Sequence, residues 1–396
     1  MIRWIGFILA LTILLLGAKR NLNLAMLVAS VIIGIFALEP RGIVTQIYNT
    51  LIDPSVILLA LALTMIPVLG GMLSVSGKLD DVVQNLRIGK RAFLGLSPAL
   101  LGLMPIPGGA LLSSPLVEGA GDGVSSHLKA AINVWFRHVL YFIYPLSYAL
   151  LVAAAAANIS LYTAILYLSP FFFLSLVLGH FFLLKKVQGE LEYTGEVSLK
   201  KMMIPLSILI TAPVLHLVLS LAFEFPYDEI PTFIAVSFAL AGAILITESK
   251  MECFKKSVKK MKPWNFTFLI INIFIFINIF KASGIDDMIS DLALPLLILA
   301  IPGGFFLGIS TGRIMLPSAI LFPIMMTSMG TDAVPPYLFV ITYVAIFLGY
   351  AITPVHPCIA LSLEYFKADL FKYLKELAWP IIIMLAMGVM IYFIFA

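Results

Sequence analysis

Apolar stretches of about twenty residues, the length a helix needs to cross the hydrocarbon of a bilayer, recur along the whole chain. No polar interval between them is long enough for a soluble domain. Of the 396 residues, 61% are hydrophobic and 12% charged, with a mean hydropathy of +1.07. A water-soluble globule cannot hide so much apolar surface, because most of its exterior must face water. Soluble enzyme, disordered regulator and disulfide scaffold are therefore excluded. The net charge of +4 is no nucleic-acid signal, since in such chains Lys and Arg set orientation. The two cysteines, Cys253 in a Lys-rich loop and Cys358 in an apolar segment, read as unpaired thiols. The first segment, 2–16, has Lys19 and Arg20 after it and no small-residue cleavage site, so it reads as a span and not a signal peptide.

Spans are expected at 2–17, 22–38, 54–74, 129–155, 161–184, 204–222, 231–247, 265–281, 336–362 and 378–395. Two further apolar stretches, 92–117 and 292–328, are punctuated by Pro and Gly: Met104-Pro-Ile-Pro-Gly-Gly109 in the first, Ile301-Pro-Gly-Gly304 and Gly308-Ile-Ser-Thr-Gly312 in the second. Such clusters end helices, and unwound backbone at membrane depth survives only where protein or a wet cavity satisfies it. Both stretches read as re-entrant hairpins. Followed alternately, the spans put most of the 25 basic residues on one side, including Lys78, Arg87, Lys90, Lys185, Lys186 and the cluster Lys250–Lys262. The positive-inside rule then places both termini outside a multi-pass plasma-membrane protein. Segment 363–377 reads as a helix lying in the inner interface.

The halves repeat. Ser76-Gly77 followed by Asp80-Asp81 is matched by Ser283-Gly284 followed by Asp286-Asp287, then a hairpin, then a long span interrupted at Pro145 or Pro354. The fold class expected is an all-α polytopic membrane protein of about ten transmembrane helices plus two re-entrant hairpins. Residues 1–195 and 196–396 form two repeats of five spans and one hairpin. An odd number of spans per repeat makes the repeats inverted, a secondary-transporter plan with its site where broken helices meet.

Candidate ligand groups follow from that plan. The first hairpin tip offers Pro107, Gly108, Gly109, Ser113 and Ser114; the second offers Ser310, Thr311, Gly312 and Arg313. Glycine admits close backbone approach, unwinding frees carbonyls and amides, and hydroxyls add ligands. Tyr144 and Ser147 flank the break at Pro145; Thr353 and His356 flank the break at Pro354; Asn133 lies upstream in the first broken span. Arg313 presents a planar fork suited to a carboxylate or phosphate. The competing readings are small-residue packing for the tips, a plain proline kink for the breaks, and a structural ion pair for Arg313. Arg137 and His138 fit snorkelling equally well, and His180 and His216 fit structural roles. The aspartate pairs read as helix N-terminal charges, not metal ligands. No metal or organic cofactor is expected, only Na+ or H+ as a coupling ion. The phosphate-cradling loop, His-Glu-x-x-His and CxxC are all missing, so nothing supports ATP-driven transport or metalloprotease chemistry.

The stretches Met104–Glu118, Gly308–Ser318 and Gly349–Cys358 resemble the ion transporter superfamily, which includes divalent-anion/sodium symporters and gluconate- and citrate-type permeases. Thr353-Pro-Val-His-Pro357 looks like its permease branch and an uncharacterised membrane family within it. The resemblance implies a homodimer working by an elevator motion. Spans 1–3 and 6–8 would be scaffold, and both hairpins with spans 4, 5, 9 and 10 would carry the site. The sodium-coupled relatives carry Ser-Asn-Thr at each tip; here Pro107-Gly-Gly109 and Ser310-Thr-Gly312 lack the Asn, which leaves sodium or protons open. The leading expectation is a secondary active symporter for a small organic anion such as a carboxylate, not an enzyme, with membrane lipid as its surroundings and no nucleic-acid partner. An intramembrane enzyme or flippase for a phosphorylated lipid, and a passive anion channel, are the alternatives.

Overall fold

The computed structural model describes residues 1–17, 20–103, 109–193 and 197–395, and among them every regular element is helical. The first half runs α1 (Ile2–Gly17), α2 (Leu22–Ala37), α3 (Pro40–Ile52), α4 (Pro54–Val75), α5 (Lys78–Gln84), α6 (Lys90–Gly102), α7 (Ala110–Ala120), α8 (Ser126–His138), α9 (Tyr148–Ala156) and α10 (Leu161–Phe182). The second half runs α11 (Leu199–Ala222), α12 (Ile230–Leu245), α13 (Lys250–Met261), α14 (Trp264–Ala282), α15 (Ile285–Ser290), α16 (Leu296–Ile298), α17 (Gly304–Thr311), α18 (Met315–Met329), α19 (Pro336–Tyr350), α20 (Pro357–Phe366) and α21 (Leu370–Phe395). A π-helical stretch, Leu299–Gly303, joins α16 to α17 around Pro302, which has no N–H to give the helical ladder. With α16 and α17 taken as one arm, the two halves present the same elements in the same order. α5 and α15 are each entered through a left-handed glycine, Gly77 and Gly284.

Contacts between the halves are reciprocal. α12 packs on α4 as α2 packs on α14, α11 meets α5 as α1 meets α15, α7 meets α20 as α18 meets α9, and α19 meets α10 as α8 meets α21. Reciprocity of this kind is what a two-fold relation between like units produces. The helices fall into two packed groups. One holds α1–α4 with α11–α14, and α5 packs on its α4 and α11; the other holds α6–α10 with α17–α21, and α15 bridges the two by meeting α1, α14 and α18. A buried polar chain also joins the groups: Tyr162 on α10 bonds His216 on α11, whose Nε2 lies 2.9 Å from Thr232 Oγ1 on α12. His216 is structural here, as expected.

Among the described residues, five helices are long and apolar enough to cross a membrane: α4, α10 with its 3-10 extension to Lys186, α11, α14 and α21. The other expected spans fall on shorter apolar helices, α1, α2 and α12, or on the interrupted pairs α8–α9 and α19–α20. Three expectations are corrected. Residues 250–261 are not a loop. They form α13, amphipathic, with Cys253, Ser257 and Met261 buried and the lysines turned outward. Residues 40–52, assigned no element from sequence, form α3 behind Pro40, which pre-sets the first helical turn. The interfacial helix expected at 363–377 is not one element. Lys367 takes a left-handed conformation (φ 51°) that ends α20, and α21 starts at Leu370 and continues unbroken to Phe395. The apolar spacing that suggested an interfacial helix instead buries Tyr373 and Leu377 inside the protein.

The aspartates after Ser-Gly lie in the first turns of α5 and α15, but neither helix has a side-chain cap. Asp286 is buried and accepts from Thr327 Oγ1 of α18 at 2.8 Å, so it ties the linker to a hairpin arm.

Tyr373 holds the second broken span to α21: its hydroxyl donates to Ala351 O at 2.7 Å in a fully buried setting. Tyr373→Phe leaves that carbonyl without its donor and should cost about 1–3 kcal/mol. Thermal unfolding in detergent should show a lowered midpoint with the fold retained; an unchanged midpoint would contradict the assigned tie.

Candidate functional site

Two irregular turns meet the second hairpin tip in the second helix group, where α6 and α7 also pack. α8 tightens into a 3-10 turn over Val139–Phe142, and 143–147 is non-helical around Pro145. α19 stops at Tyr350, and 351–356 is non-helical around Pro354. Both expected interruptions are present. Tyrosine hydroxyls satisfy carbonyls freed there: Tyr343 donates to Tyr141 O at 3.0 Å, the counterpart of Tyr373 on Ala351.

The second hairpin tip lies directly on the second break. Gly312 has φ 59°, and a Cβ there would stand 2.8 Å from His356 N and 2.9 Å from Val355 C. Only glycine combines that left-handed backbone with so close an approach. The Thr311 hydroxyl closes this turn, donating to Leu307 O at 2.7 Å and accepting from Arg313 N at 3.3 Å. Ser310, half-buried, lies in the last turn of α17. The first hairpin is fixed by its incoming arm, α6. A Cβ on Gly102 would fall 1.9 Å from the Arg137 carbonyl oxygen of α8. Pro107 and Gly108 lie outside the described residues; Gly109 is buried at the start of α7.

Between these turns sits a cluster of cations and rings. His356 stacks on Tyr350 with centroids 3.8 Å apart and meets His138 edge-on at 4.9 Å. His138 also stands edge-on to Tyr141 and Tyr350. Its Nδ1 is 2.7 Å from Val134 O, which puts a proton on that nitrogen. His356 Nδ1 is buried with no partner. Arg137 neighbours the Cys358 thiol, and Arg313 is within electrostatic reach of Tyr148, Tyr350 and His356. Arg137 is 4% exposed, and its Nη1 has no partner. Among the described residues no carboxylate pairs with either arginine.

A second polar knot lies one helical turn before Arg137. Asn133 Nδ2 donates to Ser114 Oγ at 3.1 Å and to Ser362 Oγ at 3.0 Å, joining α7, α8 and α20, while its Oδ1 is buried without a partner. Ser113 and Ser114 both donate to Ala110 O. Thr353 Oγ1 accepts from Val355 N within the break. Tyr144 and Ser147 are buried in the first break, and Ser147 Oγ has no partner. The breaks differ in access: Tyr144 to Ser147 is closed, whereas Pro354 and Pro357 are exposed.

The structure thus gathers Arg313, Gly312, Thr353 and His356 at one place, sets Ser114 and Asn133 beside it, and adds Arg137, His138, Cys358, Tyr141, Tyr148 and Tyr350. Arg137 and His138 do not snorkel; both are buried. The signal for them was present, since an ionisable side chain inside an apolar span points to a function. The ring nitrogens of His138 and His356 and the Cys358 sulfur lie within 4.8 Å of one another, a donor set that suits zinc or copper. Arg137 and Arg313, both within electrostatic reach of His356 and Tyr148 and neither paired with a carboxylate among the described residues, oppose a metal cation there and favour an anion. Burying one such charge in hydrocarbon costs about 2.5–3.5 kcal/mol on the mildest scale, and an anion between the two offsets that cost.

A family model for a protein of unknown function, DUF401, matches residues 6–395, and the chain belongs to that family. No curated protein matches it. Among solved structures, the Alcanivorax borkumensis YdaH transporter, described as having an unusual topology, is similar over 98% of this chain and 97% of its own, with a TM-score of 0.61 and 11% identity. At that identity the likeness is one of fold.

Gly102→Ala should prevent proper packing of α6 on α8, because the added Cβ would overlap the Arg137 carbonyl and backbone cannot give way cheaply. Gly119→Ala, where a Cβ meets nothing within 4 Å, is the matched control. Size-exclusion profiles of the two solubilised variants should separate them, with only the Gly102 variant aggregated; equal profiles would contradict the close approach.

Proposed function

We propose that the chain is a multi-pass membrane transporter of the secondary active type, moving a small organic anion such as a carboxylate together with protons. The observation that carries this reading is the pair Arg137 and Arg313, held at the helix breaks with no carboxylate among the described residues to neutralise them. An arginine fork matches a carboxylate in two parallel hydrogen bonds. The unpartnered polar atoms of Ser147, Asn133 and His356 supply further contacts. Two imidazoles at the same place offer proton-accepting nitrogens, and the tips lack the Asn of sodium-coupled relatives. Both features favour protons over sodium.

The ordered correspondence of elements and the reciprocal contacts support two inverted repeats, 1–195 and 196–396, within the ion transporter superfamily. The two helix groups support a scaffold of α1–α4 and α11–α14, by resemblance also the dimer contact, against a moving body of hairpins and broken spans. One closed break and one open break suit a single state of an alternating-access cycle. Similarity in fold to a transporter agrees with this reading.

Reconstitution into liposomes with imposed gradients and labelled carboxylates tests it. Uptake should follow an inward proton gradient and ignore a sodium gradient. Arg313→Gln and Arg137→Gln should each weaken anion affinity about 10- to 100-fold, the worth of a charge-assisted hydrogen-bond pair. Gradient-independent equilibration would contradict active transport, and wild-type affinity in both variants would remove the site.

A further inference from the structure

A cavity of about 480 Å³ lies away from the helix breaks, where the start of α8, the end of α10 and the first turns of α21 converge. Its lining is His127, Lys186, Lys372, Lys375, Glu376 and Trp379. Glu376 is already satisfied: it pairs with Lys186 and lies 3.5 Å from His127 Nε2. Lys372 and Lys375 are exposed, and among the described residues neither side chain has an ion-pair partner. The cavity therefore keeps two uncompensated positive charges.

The face that carries them is continuous. Lys372, Lys375, Trp379, Ile382 and Ala386 recur at helical spacing on α21, so they form one stripe. All five are exposed, Trp379 at 61% and Ile382 at 52%. Along the helix axis this stripe passes from ammonium groups to an indole and then to hydrocarbon, with about 6 Å between Lys375 and Trp379. α10 and α21 are both long and apolar enough to cross a membrane, and Lys186 and the two α21 lysines stand where those apolar runs begin or end. The level of the cavity is therefore the boundary between lipid and water. Indole groups settle at that boundary, and cationic pockets there attract phosphate.

We infer that this cavity binds the phosphate-bearing headgroup of an anionic phospholipid, with Lys372 and Lys375 on the phosphate and the acyl chains lying along Trp379 and Ile382. A soluble phosphate would use the lysines but has no need of the apolar strip below them, which decides for the lipid. The inference is independent of the proposed transport site.

The test uses the full-length protein in phosphatidylcholine vesicles carrying either brominated phosphatidylglycerol or brominated phosphatidylcholine at equal mole fraction. Trp379 fluorescence is isolated as the difference between wild type and Trp379→Phe. Quenching of Trp379 should be stronger with the brominated anionic lipid. The exposed-site variant Lys372→Gln/Lys375→Gln should remain monodisperse and lose about 10- to 30-fold in affinity for that lipid, at about 1 kcal/mol per lysine. Millimolar inorganic phosphate should leave the excess quenching in place. Equal quenching by both lipids in the wild type would overturn the inference. So would a double variant as selective as the wild type. Removal of the excess by inorganic phosphate would assign the cavity to a free anion instead.

Discussion

A helix that stops inside hydrocarbon leaves N–H and C=O groups that no solvent can satisfy, and the rest of this structure follows from that constraint. The chain interrupts two long apolar stretches, at 143–147 and 351–356, and packs α6 against α7 and α17 against α18. Each irregular piece is therefore pressed against protein. The Gly312 tip rests on the backbone of Val355 and His356, Gly102 rests on the Arg137 carbonyl, and tyrosine hydroxyls reach Tyr141 and Ala351. Once those pieces must cover one another, their polar atoms and neighbouring side chains converge, and a site arises at the place where the backbone is least regular.

Charge then decides what that site suits. Histidine, cysteine and tyrosine alone would leave metal binding, proton transfer and structural packing about equally attractive. Arg137 and Arg313 break the tie. Both are held beside the rings without a carboxylate, and in a low dielectric an uncompensated charge is costly. An anionic ligand both removes the cost and gains directional hydrogen bonds, so occupancy and stability of this region are coupled. The Asn133 knot, which ties α7, α8 and α20 one turn away, couples the two repeats at the same level.

Much of the architecture was legible before any coordinates. Hydropathy located the long helices, and Pro and Gly clusters located both helix breaks and the turn at Gly312, because a missing N–H or a left-handed backbone is written directly in residue type. Three elements escaped. α13 carries so many lysines that it resembles a loop, and only burial of Cys253, Ser257 and Met261 against α4 makes it a helix. α3 has a polar composition that no span rule detects. The 363–377 stretch has interfacial spacing, but Lys367 ends one helix and a tertiary contact through Tyr373 buries the next. The site was half legible. Arg313 and His356 stood out as ionisable groups beside breaks. Arg137 and His138 were ambiguous, because snorkelling and burial give the same sequence pattern and only packing distinguishes them.

Cys358 lies next to Arg137 and the two imidazoles, which makes it a reporter inside the proposed anion site. With Cys253 replaced by serine, the rate at which a polar thiosulfonate modifies Cys358 can be followed with and without a saturating transported carboxylate. Occupancy between the two arginines predicts that the anion slows modification strongly and that Arg313→Gln abolishes this protection. Identical rates with and without an anion that the protein demonstrably moves would contradict a site at the helix breaks.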